Sequence, residues 1–264
     1  MWSIVVTEFQ KVKRYQILLI GIIGLMLCPI LQLASQRVAI EEVKVPNYDF
    51  TALLDSTIWG NATIFMPIIF TLIGGYLMNR EYTDDTLKSV LVVPISFQKL
   101  IAGKLLAVGL LAILFGFYSF FTTILVGIAA GLPGFRISVL GRGLLQTVGI
   151  ALFTYIAVLP IVTIAGKKPG GYMAGSVAAF ILGYSSMFFK SGLLRSVYPF
   201  LAAFTVIGFD TVSFTNATET GNFILGILSL STMSIISLAI ICFSRAPEAV
   251  QSIHKKSYTS LLKR

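Results

Sequence analysis

The sequence predicts an all-α protein embedded in a membrane, and three observations predict it. Apolar residues make up 56% of the 264-residue chain and charged residues only 12%, against roughly 25% charged in a soluble domain. Mean hydropathy is +0.88. Long apolar runs alternate with short polar segments, and six of them read as transmembrane helices. A chain of this length could bury a soluble core, but it has too few charges to cover the surface of one. Residues 1–264 are therefore expected to form one integral membrane domain. Cys28 and Cys242 each lie inside an apolar run and read as small buried apolar residues, neither a disulfide nor a metal site.

Residues 1–16 are too polar for a cleavable signal, and the apolar run after them lacks a small-residue cleavage site. Trp2, Val5, Val6, Phe9 and Val12 share one helical face, with Ser3, Gln10, Lys11 and Arg14 on the other. That pattern predicts an interfacial elbow helix with its basic residues at the headgroups; an unstructured terminus is the alternative. Span one covers about 17–33 and contains Pro29, which neighbouring groups must accommodate. A polar loop, 34–57, carries Glu41, Glu42, Asp49 and Asp55. Span two covers about 58–78, with Pro67 in its middle and Gly74-Gly75 near its end.

The stretch 80–104 comes next. Glu81, Asp84, Asp85 and Lys88 are spaced i, i+3, i+4 and i+7, which gathers them on one helical face. Tyr82, Leu87, Val90 and Leu91 fall largely on the opposite face. Thr83 can cap a helix over 83–93, with two acids in the first turn where the helix dipole favours them. Pro94 stops that helix and Ser96 can cap the next. The reading is a short amphipathic helix hung between two apolar ones; the plainer alternative is an ordinary solvated loop helix.

Span three covers about 105–128, roughly 36 Å at 1.5 Å per residue, enough to cross with tilt. Lys104 at its start is expected to snorkel to the headgroups. After a Gly/Pro loop at 131–143, span four covers about 144–165. Lys167-Lys168-Pro169-Gly170 makes a tight basic turn, and span five covers about 172–189. Residues 197–209 are apolar but too short to cross, and they contain Pro199. They read as a re-entrant or interfacial segment. Span six covers about 223–243, and 245–264 is a basic tail.

Charge placement supports six spans with both termini in the cytoplasm. That layout puts 14 of the 20 Lys and Arg residues on the inner side, with Arg37, Lys44, Arg136, Arg142, Lys190 and Arg195 outside. A seventh span at 197–209 would carry the basic tail outside. The formal charge of +9 is thus a topology signal, and no nucleic-acid partner is expected.

What the spans lack narrows the function. None has an acidic or basic residue in its middle. Such a charge costs at least ~2.5–3.5 kcal/mol and marks ion or proton relays. Its absence argues against an ion-coupled transporter and against an intramembrane metalloprotease. The one histidine, His254, lies in the tail. Gly103-Lys104-Leu105 and Gly166-Lys167-Lys168 lack the upstream glycine and the Ser or Thr of a phosphate-binding loop. The chain is therefore expected not to be an enzyme and to carry no cofactor. Energy for active transport would have to arrive through a partner protein.

The order Glu81, Thr86, Leu91, Pro94, Ser96, Lys99, Lys104 resembles the cytoplasmic coupling helix of type-2 ATP-binding-cassette exporter permeases. Phe97 and Gln98 depart from that pattern, standing where a basic residue is common. With the six-span layout the resemblance covers essentially the whole chain. It implies a permease subunit in a bacterial plasma membrane, docked on a separate ATPase that binds ATP and magnesium. It also implies a second permease chain, identical or related, with the transport pathway between the two. Residues matched to ATPase coupling are Glu81, Thr83, Asp84, Asp85, Thr86, Lys88, Leu91 and Pro94. The short outer loops and compact size resemble the lantibiotic-immunity and bacitracin-resistance branch, whose cargo is antimicrobial or amphipathic peptide.

Gly171, Gly175, Ala179 and Gly183 recur every four residues in span five, which lets another helix approach closely. They read equally as packing within the subunit or as a dimer seam. Phe115, Phe117, Tyr118, Phe120 and Phe121 cluster in span three, as packing and lipid-facing material or as the lining of a path. Asn61-Ala62-Thr63 and Asn216-Ala217-Thr218 match the glycosylation sequon, a frequent chance match. Two other functions stay open on the residues alone: a membrane scaffold or assembly protein, and a passive channel.

Overall fold

The computed structural model describes residues 2–12, 16–40, 42, 44–83, 96–215 and 221–244. The described residues form helices and turns, with no strand among them. α1 (Trp2–Val12) lies across the side of the bundle and α2 (Ile17–Val38) follows it. α3 (Phe50–Gly60) starts where the extended Asp49 caps it, its carboxylate accepting from Ala52 N at 2.9 Å. The predicted loop at 34–57 is therefore shorter at both ends, because α2 runs on to Val38 and this cap starts the next helix at Phe50.

α3 continues through a π-helical turn, Asn61–Phe65, into α4 (Met66–Thr83). The cause lies in the sequence. Pro67 has no N–H to give the carbonyl of Thr63 four residues back, and the chain widens just ahead of it. Residues 50–80 act as one 31-residue span, the most enclosed in the molecule, with 72% of its apolar window buried.

Ser96 caps α5 (Phe97–Ala129), as expected, with Lys99 N donating to its Oγ at 3.4 Å. At 33 residues this helix is about 50 Å long, well beyond the ~30 Å hydrocarbon core. α6 (Ile137–Ala165) holds Pro160 near its end. Gly170, at φ +69°, makes the left-handed turn into α7 (Gly171–Ser185), and a 3-10 turn, Ser186–Phe188, closes it. α8 (Gly192–Val197), α9 (Pro199–Val206) and α10 (Val212–Thr215) are short. α11 (Phe223–Cys242) is capped by Asn222, whose side chain accepts from Ile224 N and Leu225 N.

Five helices among the described residues are long and apolar enough to cross a membrane: Ile17–Val38, Phe50–Arg80, Phe97–Ala129, Ile137–Ala165 and Phe223–Cys242. The expected fifth span is the shorter α7, 15 residues, with its 3-10 turn. α4 is central and packs on α2, α5, α6 and α7. Met66, Phe70, Ile73 and Leu77 from α4 meet Val108, Ala112 and Phe115 from α5 and Ile150, Tyr155 and Val162 from α6 in one buried core. The outer spans are far less covered, 22% for α2 and 28% for α11, so their apolar faces look outward. Within segment 197–209, Phe200, Leu201, Ala202, Ala203 and Phe204 are buried against α6 and α11, while Val197 at its start is 53% exposed. Cys28 is buried as read, but Cys242 is exposed at the end of α11.

At the end of the bundle that holds the α2–α3 and α5–α6 connections, Phe50 stacks on Phe135 at 4.2 Å and its N–H bonds Pro133 O at 2.9 Å. Arg142 reaches Asp55 at 3.2 Å. Trp59 packs on Phe204 and Phe214 beside them.

The small-residue stripe is consumed within the chain. A Cβ on Gly183 would lie 2.4 Å from Thr63 O and 2.9 Å from Pro67 Cγ. A Cβ on Gly175 would lie 2.6 Å from Ala165 Cβ, and one on Gly171 would lie 2.4 Å from Ala165 O. Ala179 is fully buried. The face therefore packs on the second span and on the end of α6, which leaves no room there for a second copy. Substituting Gly183→Val should lower the melting temperature of the purified protein, with a loss of about 1–3 kcal/mol from overpacking. Gly141→Ala is the control: nothing lies within 4 Å of that site in α6, and it should be neutral or stabilising by about 0.5–1 kcal/mol.

Candidate functional site

The site lies where α4 ends and α5 begins. Glu81 and Thr83 lie in the last described turn of α4. Asp84, Asp85, Thr86, Lys88, Leu91 and Pro94 lie outside the described residues. The structure does show how both anchors of that segment are held.

Lys104 is the centre of the arrangement. It does not snorkel to the surface: its ammonium donates to Glu8 Oε2 and to Leu77 O, each at 2.9 Å. Both side chains are almost completely buried, 4% and 3% exposed. Glu8 takes a second bond from Lys11, at 2.9 Å. The reason is packing. Gly103, beside Lys104, is so close to α1 that a Cβ there would lie 2.7 Å from Ile4 Cγ2. α1 therefore covers this turn of α5 and roofs the ammonium. The buried stripe of α1 is Val5 and Glu8, while Val6 stays 42% exposed.

Other polar groups tie the remaining helix ends at this level. Asn79 donates to Lys168 O and accepts from Gly170 N, clamping the basic turn onto α4. Gln98 reaches Cys242 O at 2.6 Å and Lys167 reaches Ile240 O at 3.4 Å. Both supply donors to carbonyls at the C-terminus of α11, where a helix leaves them without partners. The buried Tyr155 hydroxyl donates to Leu105 O at 2.6 Å and joins α6 to α5. α1, α4, α5, the α6–α7 turn and α11 are thus linked by one girdle at this level of the bundle.

Sequence reasoning found Lys104 but gave it the wrong environment. It missed Glu8, Asn79, Gln98 and Tyr155. Glu8 carried a signal: it lies one turn from Val5 on the expected apolar face, a carboxylate out of place unless paired. The aromatic cluster divides: Phe115 and Phe120 are buried, while Phe117 and Phe121 face outward at 39% and 57% exposure. Asn61 sits buried in the π-helical turn, donating to Ser119 Oγ at 2.8 Å, so the first sequon match is interior. No group of three or more His, Cys, Asp or Glu among the described residues could hold a metal ion.

A profile of the ABC-2 family transporter proteins matches residues 4–186. That match covers more than half of the chain, from α1 to the end of α7, and the chain belongs to this family. It is also similar to the bacitracin transport permease protein BCRB of Bacillus licheniformis, 26% identical over 140 residues. The match spans 52% of this chain and 66% of that relative. The protein is accordingly a multi-pass membrane protein of that transporter family.

Removing one partner of the buried pair should be costly. Glu8→Leu or Lys104→Met leaves a desolvated charge behind, and each should cost about 3–5 kcal/mol. The double change Glu8→Leu with Lys104→Met should recover most of that loss. Melting of the four purified proteins checks this, and additive losses would show that the pair is not coupled.

Proposed function

We propose that the chain is the membrane subunit of an ATP-driven exporter, with ATP and magnesium held by a separate ATPase subunit. The family match over residues 4–186 carries this reading. A second permease subunit, identical or related, completes the pathway, and each chain contributes half of it. Both termini lie in the cytoplasm, and α7 is a crossing too, fifth in chain order, which brings the total to six. Its 15 helical residues and three 3-10 residues span about 28 Å, close to the ~30 Å hydrocarbon thickness. The excess of Lys and Arg on the same side supports that orientation.

The segment 84–95 is the ATPase contact. Glu81, Asp84 and Asp85 pair with basic residues of the ATPase, and closure of the ATPase pair pushes on the segment. The girdle favours this reading physically. A push on 84–95 meets α4 and α5 together, and the Lys104 bonds to Leu77 O and Glu8 make those helices and α1 move as one body. The cargo is an amphipathic antimicrobial peptide; similarity to the bacitracin transport permease protein of Bacillus licheniformis supports that class.

The test is purification of the chain from its native membrane with identification of the proteins that accompany it. A stoichiometric ATPase with a phosphate-binding loop is the expected result. Asp84→Lys with Asp85→Lys should lose the ATPase, and lose transport at least tenfold, while the permease still inserts; about 1.4 kcal/mol of lost contact is enough for that factor. Full assembly and transport in the doubly reversed protein would sink the coupling role.

A further inference from the structure

A crevice of about 320 Å³ runs into the bundle between α5, α6 and α11. α11 packs chiefly on α6 and α9 and meets α5 only lightly. Small side chains, Ser234 and Ser237, stand on the α11 wall of the gap. Tyr155 and Leu159 of α6 also line it. The three hydroxyls of the lining are already spent: Tyr155 donates to Leu105 O at 2.6 Å, Ser234 to Leu230 O at 3.2 Å and Ser237 to Met233 O at 2.9 Å. What faces the space is almost wholly hydrocarbon. Leu106 of α5 and Leu238 of α11 also border it, and they stay 53% and 58% exposed, so the crevice opens on the outside of the bundle.

We propose that this crevice is a binding site for one acyl chain of a membrane lipid, inserted sideways between α5 and α11 until it touches Tyr155 and Leu159. The position puts hydrocarbon at its mouth: both walls belong to apolar spans, Phe97–Ala129 and Phe223–Cys242. Water suits the space poorly, because a buried water needs two to four polar partners and these hydroxyls point their protons at backbone carbonyls. Left unfilled, the lining would forfeit its dispersion contacts. The size fits a chain end: 320 Å³ is about twice the ~150 Å³ apolar cavity that takes up a benzene ring. One turn of helix needs roughly 400 Å³, so a second copy could not seat a helix there. In a bilayer the chain leaves one hydrocarbon medium for another, and the hold comes from packing against three helices at once. The site therefore reads the chain and is indifferent to the head group.

The test is photolabelling of the full chain in nanodiscs doped with a phospholipid that carries a diazirine in one acyl chain, with adducts mapped by mass spectrometry. Adducts on Tyr155, Leu159 and Ser237 should saturate as the labelled fraction rises. Adducts on Ile235, which is 63% exposed on the open face of α11, should rise in proportion. Phosphatidylglycerol and phosphatidylethanolamine probes should label the three residues alike. Ser234→Phe, which fills the crevice, should cut their labelling about tenfold, the factor that about 1.4 kcal/mol of lost binding gives, and spare Ile235. Ser234→Ala, which removes the hydroxyl without filling the space, should keep the labelling; melting curves confirm that each variant is folded. Labelling of the three residues that is missing, that merely tracks Ile235, or that survives Ser234→Phe would overturn the proposal. So would reaction of Ser237→Cys with a charged maleimide, which would show the crevice to be wet.

Discussion

A single buried ion pair, Glu8 with Lys104, fixes how the amphipathic α1 relates to the rest of the molecule. Charges withdrawn from water are stable only when their partners are near and their hydrogen bonds complete. The pair meets that demand with a carboxylate, a backbone carbonyl from α4 and a second lysine on α1. Three helices must keep their spacing for those distances to persist. A helix that composition alone would leave lying loosely at an interface becomes a structural wall of the bundle.

The opposite kind of constraint, absence of side chains, sets the geometry of α4 against α7. Pro67 deprives Thr63 O of its intrahelical donor, and the π-helical turn that results is covered by Gly183, whose missing Cβ leaves space for that carbonyl. Close approach of this kind needs small residues on the approaching helix. The widened turn and the glycine stripe therefore belong to one packing solution. The buried pair at one end of α4 and this contact at the other hold the most enclosed span from both sides.

The helical class and the main apolar segments were legible because a bilayer leaves the backbone few alternatives and imposes long uninterrupted runs. Ser96 was legible as a cap because its neighbours follow the local rule for starting a helix. The end of the polar loop was not, because the choice between loop and helix at Phe50 turns on a side-chain bond from Asp49 that competes with ordinary turn formation. Lys104 was misread for a deeper reason. A lysine at the edge of an apolar run looks the same whether water or a distant carboxylate receives it, and Glu8 stands 96 residues away in the chain. Segment 197–209 was recognised as too short to cross, yet its burial depends on the room left between α6 and α11, which no local pattern encodes.

That separation of 96 residues also orders events during synthesis. At ~5–20 residues per second, the carboxylate is made roughly 5–20 s before its lysine. Until then Glu8 has only Lys11 beside it on α1, and burying the helix would strand a charge. α1 must wait in the watery interface while two apolar segments and the beginning of a third are delivered. Its docking is thus a late event, closing over a half-built bundle only once that bundle can neutralise it.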